Sequence, residues 1–386
     1  MKTGIICTLA ALLLCFSANA QETHISSPDG RIVLTVDNSS DLNYRIAFDG
    51  ETIVARSPLG FEFVGEEPMT GGFVLTEKPV ARIMSEEWTP VVKNKHAKVH
   101  EVWNEATLKL QENGDLRRKM DIEVKVFDGG LAFRYHLYDD HRLVTREISR
   151  EVTGFCLPDG AHAWVADYEG HVTSQEKEFF KTAVSSIKPE TVAGLPLLVE
   201  AGPQKWLAIT EAHIDNYPGF FLGAKDGSLQ TMLSPVPGYE NVKARFDDEI
   251  TTPWRVVLIG DNPGQFIESE IIRTLNPPCA IEDTEWIKPG LCAWDHWWSG
   301  EVRMEMDVIK EYIDLASAQG WPYMLIDWQW YGPYNEAKAD ITKPAPQLDM
   351  PEILRYAEEK GVRIWLWLYS SDVNRNDAYK EAFRLY

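Results

Sequence analysis

Three short stretches carry the residues best suited to chemistry: "WDHWW" at Trp294 to Trp298, "DWQWY" at Asp327 to Tyr331, and "YSSD" at Tyr369 to Asp372. Each sets a carboxylate beside flat aromatic rings. A carboxylate accepts hydrogen bonds from hydroxyls, and an indole or phenol packs against the apolar face of a pyranose. Trp294, Asp295, Trp298, Asp327 and Trp330 are therefore the candidate substrate contacts. The alternative for tryptophans here, including Trp294, Trp328 and Trp365, is burial in a core, because alternate strand residues must point inward. For Asp372 it is a helix cap, since a helix is expected from near Asn374.

The elements that position these stretches follow from periodicity. "KPGLCAWDHWW" is a strand entering a polar loop, and Val302, Met306, Ile309, Ile313 and Ala316 then share one helical face ended by Gly320. "YMLIDWQWY" is a second buried strand. Asp349 and Glu352 have capping-box spacing with Pro351 in the first turn, which predicts a helix from about Met350 to Lys360. "VRIWLWLY" is a third strand and "NDAYKEAFRLY" opens a third helix without a terminator. Strand and helix alternating at this interval begin a parallel βα array, and acidic and aromatic strand ends favour a barrel over a doubly wound sheet.

Before this array, from Gln21 to about Pro253, short alternating strands are broken by Asp-Gly, Pro and Gly turns, as in "GRIVLTVD" and "DIEVKVFDGGLAFRYHLYDD". That is the pattern of a large β-sandwich. The expected organisation is a signal at 1–20, a β-sandwich domain at 21–275 and a partial (β/α)-barrel domain at 276–386. Lys2, the apolar run Ile5 to Phe16 and Ala18-Asn19-Ala20 read as an export signal cleaved before Gln21, which implies the periplasm or cell envelope. A run of roughly a dozen apolar residues is too short for a bilayer that needs about 20.

With 38 basic against 59 acidic residues the formal charge is -21, which argues against nucleic acid or an anionic membrane as partner. A neutral ligand fits better, and no membrane insertion is expected. Beyond the signal, Cys156, Cys279 and Cys292 allow at most one disulfide and form no zinc or redox motif.

Six strings resemble glycoside hydrolase family 97: "SPLGFEF" from Ser57, "DGGLAFRY" from Asp128, "LPLLVE" from Leu195, "LAITEAHIDNYPGFFL" from Leu207, "TPWRVVLIG" from Thr252 and "DWQWYG" from Asp327. The resemblance implies a mutarotase-like super-sandwich followed by a (β/α)8 TIM barrel, of which this chain holds the first three βα units. It implies an exo-acting α-glucosidase or α-galactosidase acting on oligosaccharides, with calcium as cofactor and Glu211 as a metal ligand. Family members draw the acid and the second carboxylate from segments after the third strand. The catalytic residues are therefore expected beyond Tyr386, and the chain by itself is expected to be inactive. The competing reading is a noncatalytic, mutarotase-like sugar binder relying on His213 and Glu211.

Overall fold

The computed structural model describes residues 22–138, 145–225, 227–296 and 303–385. The expected export signal, Trp298 and Val302 lie outside the described residues. The chain divides into two compact units, residues 22–90 with 94–280 and residues 91–93 with 281–385.

The first unit is built almost wholly of antiparallel strands in sheets of four, eleven, four and three strands. Alternation explains them: in Ile32–Asp37 the side chains of Ile32, Leu34 and Val36 are buried on one face. The sheets pack around one core that joins these residues to Leu108, Ile122, Phe133, Leu197 and Val257. Strands Lys119–Phe127 and Gly130–Leu137 form a hairpin through Asp128-Gly129. Gly130 is required there, because a Cβ at φ 154° would come within 2.6 Å of the Val257 carbonyl oxygen.

Val257 belongs to strand Trp254–Gly260, which pairs with Gly130–Leu137 on one side and Lys205–Ala212 on the other, and is buried at every position. Both faces are covered. Val257 and Ile259 enter the main core, while Trp254, Val256 and Leu258 pack with Ile271 and Leu275 of the segment that follows. Since strand side chains alternate, Arg255 shares the core-facing side with Val257 and Ile259, which puts a guanidinium inside the sandwich.

The second unit holds three parallel strands, Cys292–Trp294, Tyr323–Ile326 and Arg363–Leu366, in that order. Helices Met306–Gln319 and Met350–Glu359 connect them. Gly320, at φ 68°, ends the first helix in the left-handed conformation that an L side chain resists. The second begins as its capping box requires, with Asp349 accepting from the Glu352 backbone N–H at 3.1 Å. Ile309, Ile313, Ile353 and Ala357 turn inward onto Met324 and Ile326. Two further helices, Ser370–Asn374 and Ala378–Leu385, follow the third strand. Among the described residues no helix is long and apolar enough to cross a membrane, and no disulfide joins Cys156, Cys279 and Cys292.

Candidate functional site

Parallel strands bring their C-terminal ends to one rim, so Trp294 and Asp295 close the first strand beside Asp327, which follows the second. The Trp294 indole N–H donates to Asp327 Oδ2 at 2.5 Å. The Asp327 backbone N–H donates to Asp295 Oδ1 at 3.1 Å, and Asp327 Oδ1 accepts from the Trp328 backbone N–H at 2.6 Å. Both Asp327 oxygens are thus oriented by N–H donors, while Trp294 keeps 37% of its surface exposed. Asp295 is 1% exposed and its Oδ2 has no hydrogen-bond partner among the described residues. Burial pushes its carboxyl up to about 6, against the pull of the Asp327 N–H, and the neighbouring Asp327 carboxylate adds to the rise.

Aromatic rings surround this pair. The Trp328 indole N–H donates to His296 Nδ1 at 3.2 Å, so the proton of a neutral His296 ring lies on Nε2. Tyr334 contacts Trp328, Trp367 and Tyr369 with ring centroids 5.2, 5.3 and 5.4 Å apart. The candidates drawn from the sequence omit His296, Tyr334, Trp367 and Tyr369; the only signal for the last two was their place in "WLWLYSSD".

Two expectations change. Trp330 is fully enclosed and its indole N–H donates to the Trp367 carbonyl at 2.6 Å. No face of the ring is open to a sugar, so Trp330 fastens the segment after the second strand to the end of the third. Asp372 accepts from the Tyr331 hydroxyl at 2.9 Å and from the Asn335 backbone N–H at 2.8 Å, and is 2% exposed. It holds that same segment and does not cap the helix start. Trp365, set against a core role, is half exposed and packs on Tyr323.

Glu211 lies in the first unit, on strand Lys205–Ala212, directly across from Arg255. Its Oε2 accepts from Arg255 Nη1 at 2.8 Å and its Oε1 from the Phe220 backbone N–H at 3.2 Å. Arg255 turns its other edge to Glu151, at 2.8 Å from Nε and 2.6 Å from Nη2, and Tyr217 and Thr153 complete the bonds to Glu151. Burial pushes the Glu211 carboxyl above its usual range, with Arg255 pulling it back. Two carboxylates share one guanidinium, so the cluster carries an excess negative charge.

A carboxylate is the right kind of ligand for calcium, but the ion takes about 6 to 8 oxygens. Among the described residues no three His, Cys, Asp or Glu side chains stand together to hold a metal, and both Glu211 oxygens already accept hydrogen bonds. The described residues thus supply at most one calcium ligand, Glu211, and only if it is released from Arg255 or Phe220. His213 follows strand Lys205–Ala212 in a left-handed backbone position, φ 56°, and makes no hydrogen bond to Glu211 among the described residues.

An all-β unit followed by parallel βα repeats gathers carboxylates and indoles at the strand ends, a combination suited to holding a sugar ring. The family model for the glycosyl-hydrolase 97 N-terminal domain matches residues 25–278, and that for glycoside hydrolase 97 matches residues 292–386. The chain belongs to glycoside hydrolase family 97.

It is 27% identical to a retaining alpha-galactosidase of Bacteroides thetaiotaomicron, over 94% of this chain and 57% of that protein. It is also 27% identical to a probable retaining alpha-galactosidase of Streptomyces bingchenggensis, over 90% of this chain and 52% of that protein. A family 97 enzyme from Pseudoalteromonas sp. strain K8, solved in complex with panose, shares the fold with a TM-score of 0.81 at 23% identity, over 94% of this chain and 57% of that one. The chain spans about half the length of the curated relatives it matches.

Proposed function

We propose that this chain is part of an exo-acting α-glycosidase that removes galactose or glucose from oligosaccharides, and that the rim formed by Trp294, Asp295 and Asp327 receives the sugar. The observation that carries this reading is the exposed Trp294 indole tied to Asp327, itself 5% exposed, beside the more deeply buried Asp295. A pyranose face rests on the indole while Asp327, its orientation fixed by two N–H donors, accepts from the sugar hydroxyls. Similarity to two proteins named as retaining alpha-galactosidases favours an α-linked galactoside.

Glycoside hydrolysis needs two carboxyls at the scissile bond, an acid and a nucleophile or base. Asp327 is engaged on both oxygens and Asp295 is enclosed, so both are assigned to binding and support. The acid and its partner carboxylate are placed on other strand ends of a barrel in a protein of the relatives' length. Calcium belongs to this proposal, with Glu211 as one ligand. So does export: residues 1–20 form a cleaved signal, and protein recovered from the envelope should begin at Gln21, whereas a retained Met1 contradicts export.

The purified gene product should release nitrophenol from nitrophenyl α-galactoside or α-glucoside and leave the β-anomers intact. Failure on both α-anomers contradicts the reading.

A further inference from the structure

The three parallel strands of the second unit present two faces. On one, Ala293, Met324 and Ile326 are closed in with the helices. Side chains alternate along a strand, and residues paired across a parallel ladder share a face, so Trp294, Leu325 and Trp365, which stand in one register row, lie on the other. That face is the open one: Trp294 and Trp365 keep 37% and 52% of their surface exposed.

The next row toward the strand ends holds Asp327 and Trp367. The Trp367 backbone N–H donates to the Ile326 carbonyl at 3.0 Å, which carries the ladder one step past the pairing of Ile326 with Leu366 and sets Trp367 level with Asp327. Asp327 thus has an indole on each side, Trp294 from the first strand, already bonded to it, and Trp367 from the third. Neighbouring strands lie about 4.8 Å apart, so the first and third are separated by roughly 10 Å. One pyranose ring does not cover that span; two linked rings do.

Trp367 is also held in place. Its carbonyl accepts from the Trp330 indole N–H at 2.6 Å, and the Tyr369 backbone N–H donates to the Tyr331 hydroxyl at 3.3 Å. The indole N–H groups of Trp294, Trp328 and Trp330 and the hydroxyl of Tyr331 are all spent on protein acceptors. The Trp367 indole N–H and the hydroxyls of Tyr334 and Tyr369 are not. They make no hydrogen bond among the described residues, the three residues are only partly buried, and none of the three atoms is enclosed without a partner. The Tyr334 ring meets those of Trp367 and Tyr369 with centroids 5.3 and 5.4 Å apart, so three reachable polar tips gather around one indole. An aromatic ring with a free polar tip suits a sugar, apolar on its face and polar at its edge.

We propose that Trp367, with Tyr334 and Tyr369, forms a second sugar subsite, which takes the hexose α-linked to the one held by Trp294 and Asp327. It rests on the rim being the place where sugar binds. The second ring packs on Trp367 and its hydroxyls meet the tyrosine hydroxyls, so the protein selects oligosaccharides over single sugars.

The test is calorimetry on the gene product with galactose and glucose, beside the sulfur-linked analogues of melibiose and maltose, which resist hydrolysis. A disaccharide analogue should bind about tenfold more tightly than its monosaccharide. Trp367→Ala, with its fold checked by circular dichroism, should bring the disaccharide down to the affinity of the monosaccharide and leave the monosaccharide as it was. Tyr334→Phe combined with Tyr369→Phe keeps both rings, and should weaken the disaccharide alone by severalfold. The proposal is overturned if a monosaccharide binds and its disaccharide binds no better, if Trp367→Ala weakens both sugars equally, or if the double phenylalanine variant binds the disaccharide with parental affinity. Binding of neither sugar contradicts the rim itself as the sugar site, and this subsite with it.

Discussion

Arg255 faces Glu211 from the directly opposite position on the adjacent strand, 2.8 Å away, while its other edge holds Glu151. One guanidinium thus carries two carboxylates inside the sandwich, Glu151 fully buried and Glu211 with 10% of its side chain exposed. Replacing it with methionine keeps the volume and strands both charges. Removing one partner of such a group costs about 3–5 kcal/mol, so Arg255→Met should lower the melting temperature steeply. A variant as stable as its parent would show that the carboxylates find other partners.

Glu211→Gln keeps the shape and the acceptor for Phe220 while removing a hard anionic oxygen. Calcium affinity of the gene product, measured by calorimetry, should fall. Unchanged affinity assigns Glu211 to the Arg255 network alone.

Asp295 gives the rim a pH dependence. Its folded carboxyl titrates at about 6 against an ordinary 3.8, so it binds its proton more tightly folded than unfolded. The stability it contributes is complete below its unfolded pKa and is lost as pH rises through about 6. Asp295→Asn retains an acceptor for the Asp327 N–H without that loss. Relative to the parent it should gain on the order of 1–2 kcal/mol between about pH 4 and pH 7, after solvent screening. A stability difference that is flat across this interval contradicts the assignment.

Trp294 and Trp330 should separate cleanly. Trp294→Ala should raise KM for an α-galactoside with little change in melting temperature, because the ring is partly open. Trp330→Ala opens a cavity in a closed core and should cost about 3–5 kcal/mol. Equal losses of stability in both variants would place Trp294 in the core as well.

The contrast shows how far the sequence can be read. The βα repeats were legible because their signals are local: Asp349 caps its helix, Gly320 ends another, and Ile309 and Ile313 mark a buried face. Asp295 and Asp327 were legible as strand-end carboxylates. Trp330 was misplaced because the segment after Asp327 folds back, so that the indole bonds to Trp367, 37 residues on. The Arg255 network was invisible for a similar reason. Its carboxylates lie 104 and 44 residues away, and only strand register brings them together.

The proposed function requires Asp327 to hold the sugar at the rim. The most direct measurement is the affinity of the gene product and its Asp327→Asn variant for an α-galactoside and an α-glucoside, by calorimetry, with the fold of both checked by circular dichroism. Loss of a charge-assisted hydrogen bond from a sugar hydroxyl should weaken binding of the preferred sugar about tenfold or more while the spectrum stays the same. Parental affinity in a folded Asp327→Asn variant would contradict the placement of the substrate at these strand ends.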